Sequence, residues 1–147
     1  KIIQGYNGSF SHQSPFSRYA LDFSLQIGDT ICAAADGYVV GAIEGYKHGG
    51  ADRKWRDYAK FICLYHPHNG LFTQYVHLKK DGSLVEVGDT VVVGQPIGLA
   101  GMTGFTSIEH LHFNVLRSTP KGVVSTPAVF GKDYLGKDMK KGQKFRH

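Results

Sequence analysis

The chain has 147 residues, of which 41% are hydrophobic, and 17 Lys and Arg against 12 Asp and Glu give a formal net charge of +5 at pH 7. This length suits one domain with its own hydrophobic core, and the lack of any apolar run near 18 residues excludes a membrane-spanning helix. The modest positive charge favours an anionic partner, but aromatic and basic residues do not interleave, so we expect no nucleic-acid partner.

Short β-type runs separated by turn signals recur along the whole sequence, and no stretch has sustained helical periodicity. Asn69-Gly70 falls between two alternating runs and predicts a β-hairpin. The sequence therefore predicts an all-β domain with a mainly antiparallel sheet. The predicted strands, in chain order, are 20–27, 30–34, 38–44, 60–66, 71–78, 90–93, 97–101 and 110–117.

The first predicted strand follows a polar segment, residues 11–18, and contains Asp22 among apolar neighbours. Burial of an uncompensated charge is costly, so a carboxylate at such a position needs a partner. We expect a metal ion or a basic side chain beside Asp22.

The cysteines Cys32 and Cys63 each lie in an apolar, strand-like run. Free cysteines are among the most buried residue types, so we expect two buried free thiols rather than a disulfide.

Two segments with a central Gly-Asp turn, 27–31 and 87–91, resemble each other and predict two related strand-turn-strand units. The second segment, together with 94–97, resembles the hybrid motif of biotinyl and lipoyl carriers. Such a carrier needs an acceptor lysine, usually within Met-Lys-Met or Asp-Lys-Ala, and neither tripeptide is present. A carrier would also leave the histidines of this chain without a role.

The second strand of the predicted hairpin alternates between an apolar face and a mixed face. The mixed face carries Thr73, Tyr75 and His77, so we expect His77 to point away from the apolar side. Tyr75 would then either line a substrate groove or sit half-buried in the sheet.

The last predicted strand begins with His110-Leu111-His112. Side chains alternate along a strand, so both imidazoles emerge on one face about 6.6 Å apart, while Leu111 and Phe113 face the other way. Either both histidines bind one metal ion, or one binds it and the other acts on what the metal holds. With His12, Asp22 and His77, they make a set from which three ligands could leave an open position, as in catalytic zinc sites.

The remaining candidates have simpler interpretations. His66 and His68 flank a proline beside the hairpin turn and are expected at an exposed end, and His48 and His147 are expected on the surface. Glu109 precedes the histidine pair without the His-Glu-x-x-His spacing, so we expect a solvent-facing or rim residue rather than a catalytic base.

Several motifs occur in the order seen in one family of metallopeptidases. They are Ser11-His12, Tyr19-Ala20-Leu21-Asp22-Phe23, Gly28-Asp29-Thr30-Ile31-Cys32-Ala33-Ala34, Asp36-Gly37-Tyr38-Val39-Val40, Tyr75-Val76-His77-Leu78 and His110-Leu111-His112-Phe113. In this combination the chain resembles the M23 metallopeptidases, the lysostaphin-like or LytM-type peptidoglycan endopeptidases. The resemblance implies an all-β domain of the lysostaphin-like type, with a duplicated hybrid motif and long loops lining a groove.

The resemblance also implies the roles of individual residues. His12, Asp22 and His112 would bind one zinc ion per chain, and His77 and His110 would be the catalytic histidines that do not bind it. It is the family pattern that selects His112 over His110 as the ligand. Many members place the first ligand histidine four positions before the aspartate, where this chain has Arg18. His12 fits other members, in which a histidine preceded by serine lies further upstream.

A zinc-dependent endopeptidase acting on peptidoglycan cross-links or stem peptides is therefore expected, with a histidine as general base for the attacking water. The alternatives are an inactive wall-binding or amidase-activating module, and the same chemistry on a glycine-rich protein. A peptidoglycan substrate implies an extracytoplasmic location, in the periplasm, at the cell surface or in the medium. The bond that is cleaved depends on the groove loops, expected at 47–57 and 102–109.

We expect a monomer with a single peptidase domain over residues 1–147. Its core would cover about 8–117, followed by an extension, 118–147, that ends in a basic, solvated tail. The sequence begins at Lys1 without an apolar leader, as in a mature or excised domain.

Overall fold

The computed structural model describes residues 1–43, 49–50 and 59–145 of the chain. In this described part nearly all regular structure is β-strand, and the one helical segment is a 3₁₀ turn at Gly136–Asp138, too short to cross a membrane. The predicted all-β class is confirmed. The strands are β1 (Ile2–Gln4), β2 (Leu21–Ser24), β3 (Thr30–Cys32), β4 (Gly37–Ile43), β5 (Gly49–Gly50), β6 (Phe61–His66), β7 (Leu71–Val76), β8 (Leu78–Ser83), β9 (Thr90–Val91), β10 (Pro96–Ala100), β11 (Gly104–Phe105), β12 (His110–Thr119), β13 (Gly122–Ser125), β14 (Val129–Phe130) and β15 (Tyr134–Leu135).

A large antiparallel sheet has the strand order β1-β2-β12-β7-β6-β4-β9, and β13 pairs with β12 beside it. A smaller antiparallel sheet has the order β3-β10-β8, and β11 and β5 form a short parallel pair. The predicted Asn69-Gly70 hairpin joins β6 to β7, with Gly70 at φ 71° in the left-handed region that glycine adopts without a steric penalty. The long central strand β12 therefore has β2 on one side and β7 on the other.

The hydrophobic core joins the two sheets. Ile31, Leu78 and Ile97 of the small sheet belong to the same buried cluster as Tyr75 and Phe113 of the large sheet. Full burial of a side chain of this size stabilises the folded state by about 1.5–3 kcal/mol. The apolar side of the large sheet is thus fixed, and the opposite face of β2 and β12 is left for polar side chains.

The two Gly-Asp turns form the related units that the sequence predicts. In each, the aspartate carboxylate accepts a hydrogen bond from the backbone N–H three residues earlier, at 2.8 Å for Asp29 and 2.9 Å for Asp89. Each turn also forms two backbone hydrogen bonds with one residue of a neighbouring strand. This residue is Ala100 for the first turn and Val39 for the second.

The expected burial of His66 and of both cysteines is wrong. His66 is only 2% exposed, because its ring binds the carbonyl of Asp36 at 2.8 Å and the hydroxyl of Thr73 at 2.8 Å; its neighbour His68 is exposed as expected. Both cysteines are free, but Cys32 is exposed and Cys63 is half-buried.

The segment expected to be a solvated tail is docked in part against β1. Met139 is buried with Ile2 and Leu21, and the backbone N–H of Ile2 donates to the carbonyl of Gln143 at 2.9 Å. The lysines of this segment are exposed, as the charge pattern predicts. The expected groove loop at 47–57, His48 and His147 lie outside the described residues.

Candidate metal centre

Two neighbouring strands place a carboxylate beside an imidazole. In the register of β12 against β2, His112 lies directly opposite Asp22, so both side chains emerge on the same face of the sheet. His112 Nδ1 is 2.9 Å from Asp22 Oδ1. Phe113 and Leu111 lie on the opposite face against the core, as the alternation predicts.

His12 reaches the same point from the segment between β1 and β2, which folds back over the sheet. Its side chain is fully buried, and its Nε2 is 3.2 Å from Asp22 Oδ1 and 3.3 Å from His112 Nδ1. One donor atom from each of the three residues lies within 4.8 Å of the other two. Arg18, at the position where many M23 members have histidine, is exposed. Two imidazole nitrogens and one carboxylate oxygen that converge on a point could hold a metal ion through three ligands.

The tautomer of His12 is fixed by the backbone. Its Nδ1–H donates to the carbonyl oxygen of Gly5 at 2.8 Å, which leaves the lone pair of Nε2 directed at Asp22 and His112. Metal-binding histidines commonly donate their second nitrogen to a carbonyl or a carboxylate in this way.

His77 and His110 lie beside this cluster and against each other. Their ring centroids are 4.6 Å apart, and the His77 ring is 6.1 Å from that of His112. The Nδ1 of His77 is 2.5 Å from the carbonyl of Thr103, and the Nδ1 of His110 is 2.9 Å from that of Ile108. With both Nδ1 atoms donating to backbone, Nε2 is the nitrogen of each ring that can accept a proton.

His77 reaches the site through an unusual backbone conformation rather than through strand alternation. Tyr75, which shares its expected face, is 1% exposed and packs in the core, where its hydroxyl accepts a hydrogen bond from the N–H of Ala34. The predicted strand 71–78 is interrupted at His77, where φ is 70° and the chain passes from β7 of the large sheet to β8 of the small one. Because of this left-handed conformation, the His77 ring points away from the core and lies against the rings of His110 and His112. Such a conformation costs a residue with a Cβ about 1–2 kcal/mol.

Burial and the neighbouring rings set the charge of each group. Burial lowers the pKa of His77 to about 3, and the imidazoles of His110 and His112 add to this effect. Burial also lowers the pKa of His110, partly opposed by the Asp22 carboxylate. Burial by itself would raise the pKa of Asp22, but its interactions with the rings of His112 and His12 outweigh this effect and hold that pKa far below its usual range. Near neutral pH the cluster therefore contains a charged carboxylate and neutral imidazoles at His77 and His110.

A groove of about 390 Å³ ends at Asp22 and His110. The predicted groove loop at 102–109 contributes Thr106, Ser107 and Ile108 to its wall, whereas Glu109 is exposed. The rest of the wall comes from residues around β1 and from Lys141 of the docked C-terminal segment.

Sequence reasoning missed Gln4. This β1 residue lies opposite Asp22 in the register of β1 against β2, and its Nε2 donates to Asp22 Oδ2 at 2.9 Å. A three-residue strand far from Asp22 in sequence gives no local signal of this contact.

Known proteins confirm the family. The sequence profile of Peptidase family M23 matches residues 17–124 of this chain. The chain belongs to Peptidase family M23. The resemblance found in the sequence motifs is confirmed.

Individual M23 relatives agree with this assignment. The peptidoglycan DD-endopeptidase ShyA of Vibrio cholerae serotype O1 is 33% identical over 119 residues, which cover 80% of this chain and 25% of that protein. The catalytic domain of lysostaphin from Staphylococcus simulans superposes with a TM-score of 0.57 at 25% identity, over 85% of each chain. A zinc-containing peptidase from Vibrio cholerae superposes with a TM-score of 0.59 at 30% identity, over 85% of this chain and 35% of that one. This M23 chain spans about a quarter or less of the length of the curated relatives it matches.

Proposed function

We propose that this M23 chain is a zinc endopeptidase that hydrolyses peptide bonds in the cross-links or stem peptides of bacterial peptidoglycan. The observation that carries the proposal is the convergence of His12, Asp22 and His112 on one point, with His77 and His110 beside it. Asp22 and His110 also line the groove. Relatives named as peptidoglycan endopeptidases support the substrate class.

Zinc suits the donor set of two imidazole nitrogens and one carboxylate oxygen, with room for a fourth ligand. When bound, zinc would polarise the scissile carbonyl and lower the pKa of an attacking water. His12, Asp22 and His112 would hold it, and the charged state of Asp22 favours a divalent cation. We propose one zinc ion per chain.

His77 and His110 would act in proton transfer. A neutral imidazole can accept the proton of the attacking water at Nε2 and pass it to the leaving amine, and such general acid–base catalysis contributes about 10²–10⁴-fold in rate. The second imidazole could hydrogen-bond the oxyanion that forms as the carbonyl is attacked only with a proton on Nε2, because its Nδ1–H donates to the backbone. The two rings lie side by side with both Nδ1 atoms anchored to backbone carbonyls, so Nε2 is the nitrogen of each ring that would exchange a proton with the substrate or the water.

A peptidoglycan substrate would require an extracytoplasmic location, in the periplasm, at the cell surface or in the medium. The net positive charge agrees with an anionic cell envelope. We propose that the domain acts as a monomer, since its groove and all five site residues come from one chain.

The proposal predicts chelator-sensitive hydrolysis of peptidoglycan. Purified protein should contain about one zinc ion per chain and should release soluble fragments from purified peptidoglycan. Removal of the metal with a chelator should abolish release, and added zinc should restore it, because the attacking water depends on the metal. Elemental analysis and chromatography of the released fragments provide the measurements. Zinc without fragment release would favour a glycine-rich protein substrate, and the absence of zinc would favour the inactive wall-binding module.

A second prediction concerns His12, the ligand that stands in for the usual position at Arg18. The His12→Ala protein should lose most of its zinc, because the remaining two ligands hold the metal much more weakly. Zinc content after dialysis and the melting temperature without metal provide the measurements. His68→Ala is the matched control, since His68 is exposed on the hairpin turn and should leave the zinc content unchanged. Normal zinc content in a folded His12→Ala protein would mean that another residue completes the site.

A further inference from the structure

The family match begins at residue 17, so β1 and His12 lie outside the matched segment. They nevertheless surround the carboxylate of Asp22. We propose that Gln4 is a positioning residue of the metal centre, which selects the oxygen of Asp22 that faces the metal and fastens the segment that carries His12. This inference rests on the proposed function, because it takes His12 and Asp22 as metal ligands.

Both polar atoms of the Gln4 side-chain amide form hydrogen bonds. Its Nε2 donates one hydrogen bond to Asp22 Oδ2 at 2.9 Å and another to Ser11 Oγ at 2.8 Å. Its Oε1 accepts a hydrogen bond from the backbone N–H of Phe10 at 3.1 Å. An amide has two N–H donors, and here both reach the neighbourhood of proposed metal ligands.

Because Gln4 contacts only one oxygen of the Asp22 carboxylate, the two oxygens have different partners. Oδ2 accepts the hydrogen bond from Gln4, whereas Oδ1 is 3.2 Å from His12 Nε2 and 2.9 Å from His112 Nδ1. A carboxylate held in this way presents one oxygen to the metal. Because a hydrogen bond from a donor fixes the orientation of the carboxylate before the metal binds, less ordering remains to be done on binding.

The other two contacts of Gln4 hold the residues that immediately precede His12. Ser11 and Phe10 are both tied to the Gln4 amide, while the carbonyl of Gly5, the next residue after Gln4, accepts the hydrogen bond from His12 Nδ1 at 2.8 Å. Two consecutive residues of the chain thus orient both His12 and Asp22. This arrangement explains how a ligand from a segment without regular structure reaches the site with a fixed geometry.

Gly8 lies close against the side chain of Gln4. A Cβ atom added at Gly8 would lie 2.2 Å from Gln4 Cγ and 2.5 Å from Gln4 Cδ, which is a severe overlap. The absence of a side chain at residue 8 therefore allows the loop to close over the Gln4 amide. Gln4 also lines the groove, but its donors are directed at Asp22 and Ser11.

The test compares zinc affinity in the wild-type protein and in Gln4→Met, which keeps the length of the side chain and removes the donors. We expect zinc affinity to fall about 10–100-fold, the usual effect of losing a partner behind a metal ligand. Competition with a chromophoric chelator measures this affinity. The visible absorption of the Co²⁺-substituted protein should also change, because it reports the geometry of the ligands around the metal.

Gln95→Met is the matched control. The Gln95 side chain accepts a hydrogen bond from the N–H of Val92 at 3.1 Å, in a turn away from the site. Its loss should affect the melting temperature of the metal-free protein without changing zinc affinity or the Co²⁺ spectrum. If Gln4→Met does not fold, Gln4→Asn keeps the amide and shortens its reach by one methylene.

Wild-type zinc affinity in a folded Gln4→Met or Gln4→Asn protein would overturn the inference while leaving the proposed function intact. A wild-type protein that binds no zinc would overturn the proposed function itself. The two failures are distinguishable because the first requires zinc binding by the wild-type chain.

Discussion

The His112→Ala protein is expected to lose zinc and peptidase activity together. His112 contributes the nitrogen closest to Asp22 Oδ1, at 2.9 Å, and its removal leaves two of the three proposed ligands. The loss of zinc affinity should exceed the 10–100-fold expected for a residue that only supports a ligand. Elemental analysis after dialysis and fragment release from peptidoglycan measure the two effects.

The control for His112→Ala is the folded state of the variant. His112 is only partly buried, so the metal-free variant should keep its β-sheet circular dichroism and a cooperative melting transition. Stoichiometric zinc in this variant would contradict the proposed ligand set. Zinc loss with activity retained would contradict the proposed mechanism.

Replacement of His77 should also abolish activity but, unlike replacement of His112, should leave zinc bound. The His77 ring contacts His110 rather than the Asp22 carboxylate, and its Nδ1 is anchored to the carbonyl of Thr103. We expect activity to fall about 10²–10⁴-fold, the usual contribution of general acid–base catalysis. Steady-state kinetics on a soluble peptide fragment of peptidoglycan, with the zinc content measured in parallel, would test this.

The backbone at His77 dictates the choice of variants. His77 has φ 70°, a region that asparagine tolerates better than alanine does, so His77→Asn removes the imidazole with less backbone strain than His77→Ala. Both variants should be inactive with normal zinc content. Loss of zinc from both would overturn the proposed division of roles between His77 and the residues His12, Asp22 and His112. Inactivity of His77→Ala alone would trace the effect to the backbone rather than to the ring.

Local patterns predicted much of this molecule because their causes are local. Asn69-Gly70 specifies a hairpin through the conformation of its glycine, and each Gly-Asp turn closes through its own carboxylate. The spacing of His110 and His112 places both rings on one face of β12, because side chains alternate along a strand. These features depend on residues only a few positions apart.

The parts that sequence reasoning missed depend on contacts between distant segments. His66 is buried because Asp36 and Thr73 provide partners for both ring nitrogens. Alternation predicted Tyr75 and His77 together on the face away from the core, but Tyr75 packs in the core. His77 points away from the core only because a single left-handed residue lies between the two sheets. The position of Gln4 requires the pairing of β1 with β2, which no short-range pattern reveals.

The groove and the proposed catalytic histidines come from different parts of the chain. His77 and His110 are held by the sheets and by residues 103–108, whereas much of the groove wall comes from residues 3–10 and from Lys141, beyond the family-matched segment 17–124. Substitutions in much of the groove wall would therefore leave the residues that hold the two histidines unchanged. A substitution at Lys141 would alter the groove wall, whereas Gln4 and Gly5 are constrained by their contacts with Asp22 and His12.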